Sequence, residues 1–129
     1  MRTCLAFGLM VISACATTAS LKQEPLDQGV SRIFVGNYDT ILKAARDATV
    51  AAGLHLESVD KVDEHTWTLL GKKDASAWSA GEMVRVVVQQ TGSDSTAVRI
   101  ISKKRIATNV AARGDYSQAI FNDMELKLK

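Results

Sequence analysis

The sequence predicts an α+β fold: a two-layer sandwich in β-α-β-β-β-β-α order, with an antiparallel sheet carrying two helices on one face. Three observations lead there. Five stretches are apolar-rich or alternate at a period of two, and four of them follow one another with only turns or loops between. Helical spacing of apolar residues is confined to one stretch after the first strand and one at the end of the chain. The chain of 129 residues, 47% hydrophobic and 23% charged, is sized for a single small core.

The elements follow in order. Val30 to Val35, "VSRIFV", reads as a first strand ended by Gly36. Asn37 then caps a helix through "YDTILKAARDATVAA", with Asp39 favourably placed in its first turn and Gly53 as its stop. Tyr38, Ile41, Leu42, Ala45, Ala48, Thr49 and Ala52 fall on one side of it. So many alanines make a thin face that can lie close against a sheet. "LHLESVDKVDEHTWTLLGKK" reads as a hairpin about a two-residue turn at Asp63-Glu64. That register groups Leu54, Leu56, Ser58, Trp67 and Leu69 inside and turns His55, Glu57, Val59, Thr68, Leu70 and Lys72 outward. After the loop "DASAWSAG", the strand "EMVRVVVQQ" turns Val84, Val86 and Val88 inward, and "TGSDS" turns it into "TAVRIISKK". Asp115, with Gln118 three residues on, caps a last helix whose buried stripe is Tyr116, Ile120, Phe121, Met124 and Leu128.

Both cysteines, Cys4 and Cys15, lie in the first fifteen residues. Arg2 precedes a short apolar run from Leu5 to Ile12, in the manner of a secretory signal, and the run is too short for a membrane span of roughly 20 residues. It closes on Ile12-Ser13-Ala14-Cys15. This tetrad resembles the lipobox of bacterial lipoproteins: an aliphatic residue, two small residues that a peptidase cleft can accept, then the cysteine. The resemblance implies cleavage between Ala14 and Cys15, a diacylglycerol thioether on Cys15, and acylation, as by palmitate, of its new amino group. Several acyl chains anchor stably where one would not. Ala16, in place of the aspartate that retains such proteins in the inner membrane, implies the periplasmic side of the outer membrane.

The resulting organisation is a signal peptide over 1–14, a lipidated N-terminus and tether over 15–29, and one α+β domain over 30–129. The tether is polar and holds the only proline, Pro25. As a flexible coil it spans about 20 Å on average and about 45 Å at full stretch. A formal charge of +2, falling to +1 once Arg2 leaves with the signal, argues against a nucleic-acid partner.

"NYDTILKAARDATVAAGLHLESVD", "AWSAGEMVRV" and the basic ending "SKKRIATNVAARGDYSQAIFNDMELKL" together resemble a family of small bacterial lipoproteins classed as a domain of unknown function. The shared features are a Tyr-Asp helix start, a glycine before the second strand, a Trp-Ser-x-Gly-Glu loop and a final helix. The final helix here departs from the family in lacking charges near its start. The resemblance carries no catalytic residues and no cofactor.

The residues themselves give no metal or catalytic constellation. His55 and His65, with Glu57, Asp60, Asp63 and Glu64, resemble a metal cluster by composition only. The hairpin sets the two histidines about 23 Å apart at roughly 3.3 Å per residue. Serines without a nearby histidine or a nucleophile elbow do not make a triad. Ser79 reads as a turn residue and Trp78 as a lid on the core. A binding surface is the better expectation: Val59, Leu70, Val87 and Ile101 on the outward sheet face, with Arg85 and Arg99 beside them and Lys103, Lys104, Arg105 and Arg113 at the strand end. With both helices on the other face, these residues would form an uncovered patch for an envelope protein partner or for self-association. The sequence therefore predicts a lipid-anchored, non-enzymatic binding or accessory module. The alternatives are a small hydrolase using Glu82 or Glu57 as base, and a carrier needing a ligand cavity between helices and sheet.

Overall fold

A computed structural model describes residues 18–74, 81–104 and 115–129 of the chain. Their elements are α1 (Thr18–Gln23), β1 (Val30–Val35), α2 (Tyr38–Ala51), β2 (His55–Asp63), β3 (Thr66–Lys73), β4 (Glu82–Gln90), β5 (Ser95–Lys104) and α3 (Ser117–Lys127). The five strands form one antiparallel sheet in the order β1-β5-β4-β3-β2. This is the α+β sandwich expected from the patterning, with one helix more than the patterning showed.

Helices α2 and α3 cover one face. Asn37 caps α2, its side-chain oxygen accepting from the Thr40 N–H at 3.2 Å. Ile41, Ala44, Ala45, Ala48 and Thr49 are then buried against the sheet. The sheet receives this thin face at Gly71, where an added Cβ would stand 3.1 Å from Thr49 Cγ2 and 3.2 Å from Leu54 Cβ. Packing is close there, with no room for an interlayer ligand at that point. The core continues through Leu69, Val84, Val86, Val88, Val98 and Ile100 to Tyr116, Ile120, Phe121 and Met124 of the α3 end. Asp115 Oδ1 accepts from the Ser117 N–H at 2.8 Å, so it does satisfy an orphan donor of α3. The expected cap is nevertheless one residue off: the N-cap of α3 is Tyr116, which has no side-chain cap hydrogen bond, and the Gln118 side chain donates to Asn122 one turn on, at 3.0 Å, so no capping box forms.

The β2–β3 hairpin corrects the expected register. Its turn is Glu64-His65, one residue later than expected, and Asp63 pairs with Thr66. At the other end His55 still pairs with Lys72, as expected. Two irregularities in β2, between Leu56 and Ser58 and between Lys61 and Asp63, absorb the difference. Each bulge shifts the strand by one residue and so exchanges its faces. Val59 consequently pairs with Leu69 and packs against the helix-side core, rather than pointing outward.

The second face is covered in part by the segment expected to be a tether. Leu21 of α1 is fully buried in a small cluster with Leu70 and Met83, against which Ile101 packs. The packed unit thus begins at α1, ahead of Val30. Gly29, at φ +106°, leads the chain into β1 so close to Ile100 that a Cβ would run into its carbonyl. That approach lets the chain pass from the second face to the sheet edge without a wider loop.

Candidate functional site

The most unusual chemistry on the second face belongs to Arg85, in the middle of the central strand β4. The residue is 2% exposed, and among the described residues no carboxylate pairs with its guanidinium. A buried charge must be hydrogen-bonded to be tolerated, and here the acceptors are main-chain carbonyls. Nη1 donates to Leu21 O at 3.0 Å and to Glu24 O; Nη2 donates to Pro25 O at 2.7 Å. These carbonyls belong to the last turn of α1 and the two residues that follow it, where the chain's carbonyl ends favour a cation. Pro25, lacking an N–H, cannot extend the helix; its carbonyl accepts from the Gln28 N–H at 3.2 Å as well as from the arginine. Burial lowers the Arg85 pKa from its usual value, and the group stays charged at physiological pH.

Around this bracket the polar residues close the edges. Lys103 of β5 pairs with Glu24, and Lys22 of α1 pairs with Asp60 of β2 at 3.5 Å. Between the 22–26 segment and the hairpin lies a groove of about 340 Å³, walled by Pro25, Leu26, Val62 and Leu70, with Ser58 and Arg85 among its polar lining. Ser58 Oγ and Arg85 Nε are buried there without a hydrogen-bond partner among the described residues.

The expected surface patch is therefore divided. Leu70 and Arg85 are buried under α1 with Ile101 at the margin of the same cluster; Val87 is 1% exposed beside them in the sheet. Val59 is on the other face. Arg99 does project outward from β5, where it donates to Gln89 Oε1 at 3.1 Å. Lys103 is engaged by Glu24. Lys104 ends β5 opposite Glu82 in the ladder, while Arg105, Arg113, Trp78, Ser79, Ala14 and Cys15 lie outside the described residues. The physical reason the patch is not an open surface is the docking of α1, which uses its apolar members and its arginine.

The two histidines are separated as the hairpin requires. His55 faces Asp74 at 3.8 Å, and His65 sits at the turn with Nδ1 3.3 Å from Gln90 Oε1. Among the described residues no three His, Cys, Asp or Glu side chains are grouped to hold a metal ion. Glu82 is 3% exposed at the start of β4, and neither it nor Glu57 lines the groove. Among the described residues no helix is long and apolar enough to cross a membrane. No protein-family model and no curated protein matches the chain.

A signal for this site was present in the sequence. "MVRVVV" is apolar at almost every position, the pattern of a strand covered on both faces, and an arginine inside it needs buried partners. The covering element was harder to see: α1 has six residues, and Leu21 is its one large apolar side chain.

Proposed function

We propose that the protein is a lipid-anchored envelope protein, attached through acyl groups on Cys15 at the periplasmic side of the outer membrane. Its domain serves as a non-enzymatic binding or accessory module for an envelope protein or component. The observation that supports the anchor is the Ile12-Ser13-Ala14-Cys15 tetrad, followed after only two residues by a helix docked on the sheet. A module attached this way works at the membrane surface and meets partners that are embedded in it or resting on it.

The test is the intact mass of the full chain expressed in a Gram-negative bacterium. A mass lacking residues 1–14 and carrying diacylglycerol and an acyl group is expected, with Cys15→Ser abolishing both the modification and the cleavage. An unmodified chain retaining its first fourteen residues refutes the anchor. For the module, cross-linking in native membranes is expected to recover a defined envelope partner by mass spectrometry.

A further inference from the structure

The two edges of the sheet are built differently. The β2 edge carries both bulges and the charged side chains Glu57, Asp60, Lys61 and Asp63, which are the usual guards against pairing with another chain. The β1 edge has no bulge, and its pairing to β5 runs unbroken from Val30–Ile100 to Val35–Ser95. Three of its four exposed side chains are apolar, Val30 at 51%, Ile33 at 57% and Val35 at 77% exposure, and the fourth is the uncharged Ser31. Among the described residues no strand pairs with its outer side.

We propose that β1 is a self-association edge: two copies of the chain pair Val30–Val35 antiparallel across a two-fold axis through Ile33, making one ten-stranded sheet. Symmetry, ladder length and charge select this occupant and this register: an axis at Arg32 or Ile33 pairs five residues of Val30–Val35, and an axis at any other residue of β1 pairs at most three. A two-fold relating antiparallel neighbours in one sheet stands perpendicular to it and must pair residues of the same face, so a residue pairs with itself at the axis. With the axis at Arg32, two guanidinium groups would be opposed. With the axis at Ile33, Ile33 meets Ile33, Ser31 meets Val35, and Arg32 meets Phe34. Arg32 is the only charge on the strand, and Glu125 already pairs with it at 2.5 Å while its guanidinium lies 4.8 Å over the Phe121 ring. No unpaired charge enters the seam. The same axis keeps both α1 helices on one side of the joined sheet.

The experiment uses the full chain with Cys4→Ser and Cys15→Ser, so that any thiol present is the one introduced. Sedimentation velocity is expected to show a monomer–dimer equilibrium with a dissociation constant in the range of roughly 1–500 µM, as suits a small interface. Ile33→Lys is expected to abolish the dimer while leaving the far-ultraviolet spectrum and melting temperature unchanged, because Ile33 is over half exposed. Ile33→Cys is expected to oxidise to a disulfide dimer, since residues opposed in a ladder have the Cα spacing a disulfide needs. Ser31→Cys mixed with Val35→Cys is expected to cross-link more than either alone. A strictly monomeric protein at roughly 500 µM, or an Ile33→Cys yield no higher than that of Glu57→Cys on the opposite edge, overturns the proposal.

Discussion

Replacing Arg85 by alanine removes the three donors that hold the end of α1. Hydrogen bonds from a charged donor contribute about 1.5–3 kcal/mol each, and the arginine offsets much of that through its own desolvation, several kcal/mol for a buried ion. A net loss of about 3 kcal/mol in docking free energy is therefore expected, which is roughly a hundredfold in the docking equilibrium. The loss falls locally, because the helix-side core of α2, α3 and the sheet makes no use of Arg85. Hydrogen exchange of the full chain read by mass spectrometry separates the two. In the wild type, the amides of 21–28 are expected to exchange slowly, and in Arg85→Ala roughly a hundredfold faster, while β4 and α2 keep their protection. Arg85→Lys is expected to rescue only in part, since an ammonium cannot span three carbonyls with a planar fork. Unchanged protection of 21–28 in Arg85→Ala, or global loss of protection across the sheet, refutes the bracket.

Asn37→Ala removes the cap of α2 and is expected to cost about 1 kcal/mol in urea unfolding, with Asn37→Asp close to neutral. Gly29→Ala meets both an unfavourable φ and the Ile100 carbonyl, so a loss of at least about 1 kcal/mol is expected in the same assay. Acid melting follows from two carboxylates. The hydrogen bond from Lys43 holds the Asp47 carboxyl below its usual pKa, and the backbone N–H of His65 does the same for Asp63. Groups with lowered native pKa stabilise above the ordinary carboxylate range and lose that contribution as pH falls through their native values, so the melting temperature is expected to drop below about pH 4. Tyr38 works in the opposite sense: burial raises its pKa, and its hydroxyl donates to Val88 O at 3.1 Å. Its contribution is complete below about pH 10 and is lost as pH rises through the native value; Tyr38→Phe is expected to remove this part of the alkaline limb of the melting curve.

Much of the fold is legible because local signals and the core agree. Asn37 and Gly53 bracket α2, "TGSDS" turns β4 into β5, and the stripe from Tyr116 to Met124 is buried as its spacing requires. The β2 register is not legible, because bulges depend on cross-strand fit. Val59 and Leu70 look equivalent in an alternating pattern and end on opposite faces. The second face was misread for a related reason. Outward apolar residues at Leu70 and Ile101 signal a covering element as well as they signal a partner, and the cover comes from six residues of α1 whose polar sequence resembles a linker.

The position of Arg85 also determines where the N-terminal segment pulls on the fold. Following the chain alone, whatever precedes α1 is joined to the sheet through Gly29 and β1, an edge strand with neighbours on one side. Tension applied there would peel β1 from β5 one ladder bond at a time. The bracket moves the attachment to β4, the third of five strands, which is hydrogen-bonded on both sides along its whole length. Lys103–Glu24 and Lys22–Asp60 add ties to β5 and β2, so three strands share the load. Tension arriving from the N-terminal side of α1 is therefore expected at the centre of the sheet, leaving the β1 edge unloaded.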